Sequence, residues 1–111
     1  MKGLIVKDPW SKLILEGIKT LELRGNKTKI RGTIGIIESG TGKIFGTVDL
    51  VEVISLSESG FYKSIHKHRV VCERKDISYN HLYGWVLKNP LKYDVPKPYV
   101  HKQGCVIWVN L

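Results

Sequence analysis

The stretch GTIGIIESGTGKIFGTVDLVEVISL at residues 32–56 decides the fold class. GTIGIIE (32–38) alternates in the manner of a strand, and SGTG (39–42) supplies turn residues for a loop of about four positions. KIFGTVDLVEVISL (43–56) then reads as one long strand. Gly35 and Gly46 lie inside the two strands, where glycine marks a bulge or the bend at a barrel corner.

Working outward, KGLIVK (2–7) reads as a short buried strand. Asp8 before Pro9 fits an N-cap followed by proline at the first helical position. In PWSKLILEGIK, Trp10, Leu13 and Ile14 share a helical face, and Gly17 is placed to end the helix left-handed. TLELRG follows as a strand, with Leu21 and Leu23 on one face and Glu22 and Arg24 on the other. GNKTK is a loop. Ser57 caps a second helix across SESGFYKSIHKHR, and residues 70–82 are irregular or weakly helical. YGWVLKN is a strand stopped by Pro90, LKYDV a further strand and PKPY an extended connection. GCVIWVNL (104–111) is the closing strand.

The expectation is therefore a mainly β (α+β) chain, one domain over 1–111, with two helices and about six strands in a small twisted barrel. Leu21, Leu23, Ile34, Ile36, Val48, Val86, Ile107 and Val109 are its expected core.

The 111 residues carry 42% hydrophobic and 25% charged side chains, enough for a packed core. No run of about 18 apolar residues offers a membrane span. Cys72 and Cys105 cannot make a disulfide framework, which suits a reducing, cytoplasmic setting. Lys plus Arg is 18 against 10 acids, a formal charge of +8. Such a surplus attracts polyanions, or simply keeps a lysine-rich surface solvated. His66, His68, Cys72 and His81 match no common zinc spacing, GTGKIFG lacks the Walker spacing, and no GxSxG occurs. No metal or other cofactor is called for.

GIKTLELR (17–24) fits the pattern Gly-x-Lys-x-x-Glu-x-Arg, which resembles the signature of the ASCH family, the activating-signal-cointegrator homology domains. DPW before the helix, Arg31-Gly32, Gly46, YGWVL at 83–87 and PKPYVHKQGCVIWVNL extend the resemblance along nearly the whole chain. The resemblance implies a PUA-like β-barrel and binding of RNA or a modified nucleotide. Some small bacterial members resemble amidohydrolases acting on acetylated cytidine, and ribonuclease activity is associated with the family. The amidohydrolases place a second threonine where this chain has Glu22, so the hydroxyl of their proposed mechanism is missing. A protein-interaction module of a transcription or translation complex is the competing reading.

On that resemblance, Lys19, Glu22 and Arg24 line a cleft. Lys19 is the candidate base, Glu22 an acceptor or water-orienting group, and Arg24 a holder of phosphate or carbonyl oxygen. The bland alternative is a solvent-facing Glu22–Arg24 pair worth about 0–1 kcal/mol. Trp10 either stacks on a base or fills the core, whereas Trp85 and Trp108 suit packing. Tyr99, Lys97 and Gln103 are expected near the cleft rim. Lys63, Lys67 and Arg69, with Lys102 in the closing loop, are expected phosphate contacts; a solvated face explains the helical cluster nearly as well.

Overall fold

A computed structural model describes residues 1–111. The strands are β1 (Lys2–Val6), β2 (Leu21–Arg24), β3 (Gly32–Glu38), β4 (Lys43–Leu56), β5 (Leu82–Pro98) and β6 (Trp108–Asn110). The helices are α1 (Trp10–Leu15), α2 (Glu58–Lys63) and α3 (Ile65–His68), with a 3₁₀ turn at Arg74–Asp76. All six strands form one sheet in the order β2-β5-β4-β3-β1-β6.

The β3–β4 hairpin is the centre of this sheet, as its alternation predicts, with Ile34 opposite Val48 and Ile36 opposite Gly46. Gly46 is there because the backbone comes too close for a side chain: a Cβ would stand 2.3 Å from the Leu91 carbonyl oxygen. Along β4 and β5 the register shifts between Ile44 and Gly46, between Thr47 and Asp49 and between Leu50 and Glu52. Each irregularity bends the pair and adds twist, so the sheet coils on itself. The sheet does not close, since β2 and β6 remain its two edges. It curls until the Arg24 guanidinium of β2 reaches the Ile5 carbonyl of β1 at 3.1 Å.

Several expectations change in physical detail. Asp8 caps nothing: Pro9 occupies the N-cap position of α1, and Asp8 instead pairs with Lys12 at 3.2 Å. Ser57 does cap α2, accepting the Gly60 N–H at 3.0 Å. The second helix is broken into α2 and α3 at Ser64, whose hydroxyl bonds back to the Gly60 carbonyl at 2.6 Å, a contact that competes with helical propagation. Pro90 does not end a strand. Lys88 pairs with Asp49 and Leu91 with Thr47, so β5 carries one extra residue at this point. A bulge needs no ladder N–H from the proline, and Asn89 takes the left-handed conformation (φ 54°) that accommodates it. β6 is shorter than expected, because Gly104 (φ 89°) and the Lys102–Cys105 turn take up the first positions of the expected strand.

The main core gathers Leu4, Val6, Ile14, Ile36, Leu50 and Trp85 on the concave face. Ile34, Ile36, Val48 and Val109 are buried as expected. Ile107 is 40% exposed: its carbonyl still accepts the Ile5 N–H of β1 at 2.9 Å, but its side chain borders an open hollow beside Arg24 and Trp108. Val86 is half-buried, since Trp85 and Leu87 take the inner positions of β5. Leu21 and Leu23 are buried on the opposite, convex face, where Leu23 packs with Phe61 and Leu82 beneath α2. Both faces of β2 are thus covered, and Glu22 shares the inner face with its cross-strand partner Trp85.

Candidate functional site

The site begins where α1 stops. Gly17 (φ 77°) turns the chain, and the N–H groups of Ile18 and Lys19 both bond the Leu13 carbonyl at 3.0 Å. Lys19 is thereby directed inward, and the Thr20 N–H fixes the turn to the Lys67 carbonyl at 2.9 Å. The Lys19 side chain is 1% exposed. Its ammonium donates to the His68 carbonyl at 2.5 Å, stands 3.6 Å from Glu22 Oε1 and lies 4.9 Å from the centre of the Trp10 ring.

Glu22 is held from its other side by Arg24. Both Nε (3.2 Å) and Nη2 (2.9 Å) donate to Glu22 Oε2. The guanidinium lies 5.6 Å from the Trp85 ring centre. The result is a buried row, cation–carboxylate–cation, in which one negative group is balanced from both ends. Burial pushes the Lys19 ammonium below the usual lysine range, Glu22 opposes that shift and Arg24 adds to it. The alternative of a solvent-facing Glu22–Arg24 pair gives way to an arrangement in which removing one member leaves another charge stranded.

His68 completes the support. It belongs to the histidine- and lysine-rich stretch that reads as surface, yet it is fully buried. Its ring stacks on Phe61 with centroids 4.7 Å apart. Nδ1 accepts the Val70 N–H at 3.0 Å, which assigns the proton to Nε2, donating to the Phe61 carbonyl at 2.8 Å. Burial holds this imidazole below the ordinary histidine value of 6.5, with Lys19 and His66 pushing the same way. Between the lowered folded value and 6.5 the unfolded chain binds a proton that the folded chain refuses, so stability is lost as pH falls through that window. Urea midpoints should therefore fall from pH 7.5 to pH 5.5, and His68→Gln should flatten the trend. Equal midpoints for the parent protein at both pH values would contradict this role.

Above the buried row lies a cavity of about 320 Å³, walled by Lys7, Trp10, Glu22, Arg24, Val70 and Tyr79 among others. That volume lies at the lower end of small-ligand sites, about 300–1,000 Å³. Trp10, Glu22 and Arg24 meet there. Lys19 sits behind Glu22 and Trp10 and is not part of the wall. Tyr99 lines a neighbouring hollow. Lys97 is exposed and lies over Tyr93, outside both spaces, and Lys102 and Gln103 are exposed in the loop before β6. Lys63, Lys67 and Arg69 are exposed on α2, on α3 and at its end, and Lys67 borders a separate hollow with Thr20 and Ser64. Trp85 packs inward as expected, stacked on Trp108 at 5.7 Å, with its N–H on the Asn26 carbonyl.

Lys7, Val70, Tyr79 and His68 carry no motif that singles them out. Only the seven-residue spacing of Phe61 and His68, two helical turns, hints that the histidine faces inward. No three histidine, cysteine or acidic side chains gather as a metal set, and both cysteines are free. No helix is long and apolar enough to cross a membrane.

No curated protein sequence matches the chain. Its fold is similar to that of ASCH from Zymomonas mobilis, with a TM-score of 0.71 at 14% identity over 87% of this chain and 72% of that one. A serine-to-alanine variant of the Zymomonas protein aligns with a TM-score of 0.75 at 14% identity, over 99% of this chain and 87% of that one. The family model of the ASCH domain matches residues 4–97, which span the signature, the buried charge row and the strands that hold it, and so the chain belongs to the ASCH domain family.

Proposed function

We propose that this domain binds RNA, with one base held in the cavity beside Glu22, Arg24 and Trp10. The observation that carries the reading is the neutralised carboxylate. Glu22 lies in a cavity wall, yet its charge is balanced by Lys19 and Arg24, so it can accept a hydrogen bond without repelling a polyanion. A base amino group is a natural donor to such an oxygen. Trp10 offers an aromatic surface for an unstacked base, the contact through which single-stranded RNA is usually recognised. Lys7 and Arg24 at the wall, and the exposed Lys63, Lys67, Arg69 and Lys102 beyond it, supply the attraction for phosphates.

Binding is favoured over hydrolysis by Lys19 because the ammonium is committed to the His68 carbonyl and forms no part of the cavity wall. Turnover of acetylated cytidine is the assay that would reverse this preference.

A tryptophan-fluorescence titration with single-stranded RNA at several salt concentrations tests the proposal. Affinity should fall linearly on a log–log plot against salt. Lys63→Ala combined with Lys67→Ala should lessen that slope by about 1.4 if both residues meet phosphates, and should weaken all sequences alike. Absence of binding to any nucleic acid at low salt would favour the protein-interaction reading instead.

A further inference from the structure

We infer that the groove holds a second base site at Tyr99 and His101, so that the ligand is a single RNA strand of at least two nucleotides. The inference rests on the RNA reading above and specifies the length and course of that ligand.

A second hollow of about 420 Å³ adjoins the first cavity. Ile5, Ser39 and Val106 belong to the walls of both, so the two hollows adjoin along these three residues. Together they make one groove, with Glu22 and Arg24 at one end and Tyr99 and His101 at the other. A single nucleobase seated beside Glu22 and Arg24 leaves the Tyr99 end open.

The far end is built to present aromatic surface. Tyr99 packs against the apolar cluster of Ile37, Ile44 and Val109, and its backbone N–H is fixed to the Gly42 carbonyl at 3.2 Å. Its hydroxyl is within 2.8 Å of His101 Nδ1, and the two rings meet edge-on with centroids 5.7 Å apart. The exposed imidazole and the phenol thus form a fixed corner over the hollow. Base stacking on such rings tolerates any base, because every base has a π-face.

The charges agree with a strand running the length of the groove. Among the residues lining the two hollows, Glu22 is the sole carboxylate, and it is balanced by Lys19 and Arg24. The second hollow has no acidic wall residue at all. A phosphate linking two bases therefore meets no uncompensated negative group as it passes Ser39.

The experiment compares the four ribonucleoside monophosphates with the four RNA homodinucleotides in equilibrium titrations. For at least the preferred base, the dinucleotide should bind about 5- to 150-fold more tightly than the monophosphate, the range of one base-stacking contact. Tyr99→Ala should remove most of this gain, and Tyr99→Phe should retain it. His101→Ala, at an exposed position, provides a second test should Tyr99→Ala fold poorly. A dinucleotide gain that survives both Tyr99→Ala and His101→Ala overturns the second site. So does the absence of any gain while monophosphates bind, which leaves the first site standing. Failure of every mononucleotide and dinucleotide to bind removes the RNA reading itself and this inference with it.

Discussion

Glu22→Ala should cost the fold about 3–5 kcal/mol at neutral pH, the range for breaking a buried ion pair from one side. The deficit should shrink as the pH approaches the ordinary lysine value of 10.5. Both parts follow from the position of Lys19. Its side chain is 1% exposed, and Glu22 is the one carboxylate paired with it. Without Glu22, the ammonium keeps the His68 carbonyl but faces Arg24 with nothing negative between them. Burial already lowers the affinity of Lys19 for its proton, and loss of Glu22 lowers it further. In the window between the lowered folded value and 10.5, the unfolded chain keeps a proton that the folded chain releases, so the stability of the variant rises with pH. The parent protein follows the same sign with a smaller amplitude. Urea denaturation at pH 7 and pH 9.5 measures both effects. Glu22→Gln should fall between the parent and alanine, because it keeps the shape and one acceptor but loses the charge. A Glu22→Ala protein within about 0.5 kcal/mol of the parent at both pH values, the usual result for surface positions, would mean that the row is not electrostatically coupled.

Such a row was only partly legible in the chain. GIKTLELR marks Lys19, Glu22 and Arg24, and alternation correctly sets Glu22 and Arg24 opposite Leu21 and Leu23. Alternation cannot say that both faces of β2 are covered. That depends on α2 and α3, which bring Phe61 over Leu23 and the His68 carbonyl over Lys19. A buried lysine is defined by its acceptors, and these lie 3 and 49 positions along the chain from it. The β3–β4 hairpin was readable because its pattern and turn are local. The continuity of β5 through Pro90 was not, because a bulge exists only relative to a partner strand, here the Asp49–Thr47 step of β4. Likewise Ser64 looks like any polar helix residue until its hydroxyl chooses the Gly60 carbonyl. Cluster residues such as Lys97 and Gln103 are near Tyr99 in sequence, but the turn at Gly104 and the long reach of β5 leave them outside both hollows.

Arg24→Ala should reduce RNA affinity about 10- to 150-fold, the effect of losing a hydrogen-bonded charge worth about 1.5–3 kcal/mol. Three contacts meet on this one guanidinium. It holds Glu22 Oε2 through Nε and Nη2, it ties β2 to the Ile5 carbonyl across the open side of the sheet, and it lies over Trp85. It also walls both the main cavity and the hollow beyond it that contains Asn26, Lys27 and Trp108. Its removal leaves Glu22 with Lys19 alone, turns the balanced acceptor toward net negative charge, and loosens the edge of the groove. Arg24→Lys should restore little, because an ammonium cannot reach the carboxylate and the Ile5 carbonyl through one planar fork. Arg31→Ala is the control for charge alone. Arg31 is exposed and bonds only the nearby carbonyls of Thr28 and Ile30, so its loss changes net charge by the same amount without touching the cavity. Titrations at matched salt should show the Arg24 deficit persisting at high salt, where long-range attraction is screened and contact geometry remains. If Arg24→Ala and Arg31→Ala weaken RNA equally at every salt concentration, the strand is held by the overall positive field of the protein, and the cavity above Glu22 is not where it binds.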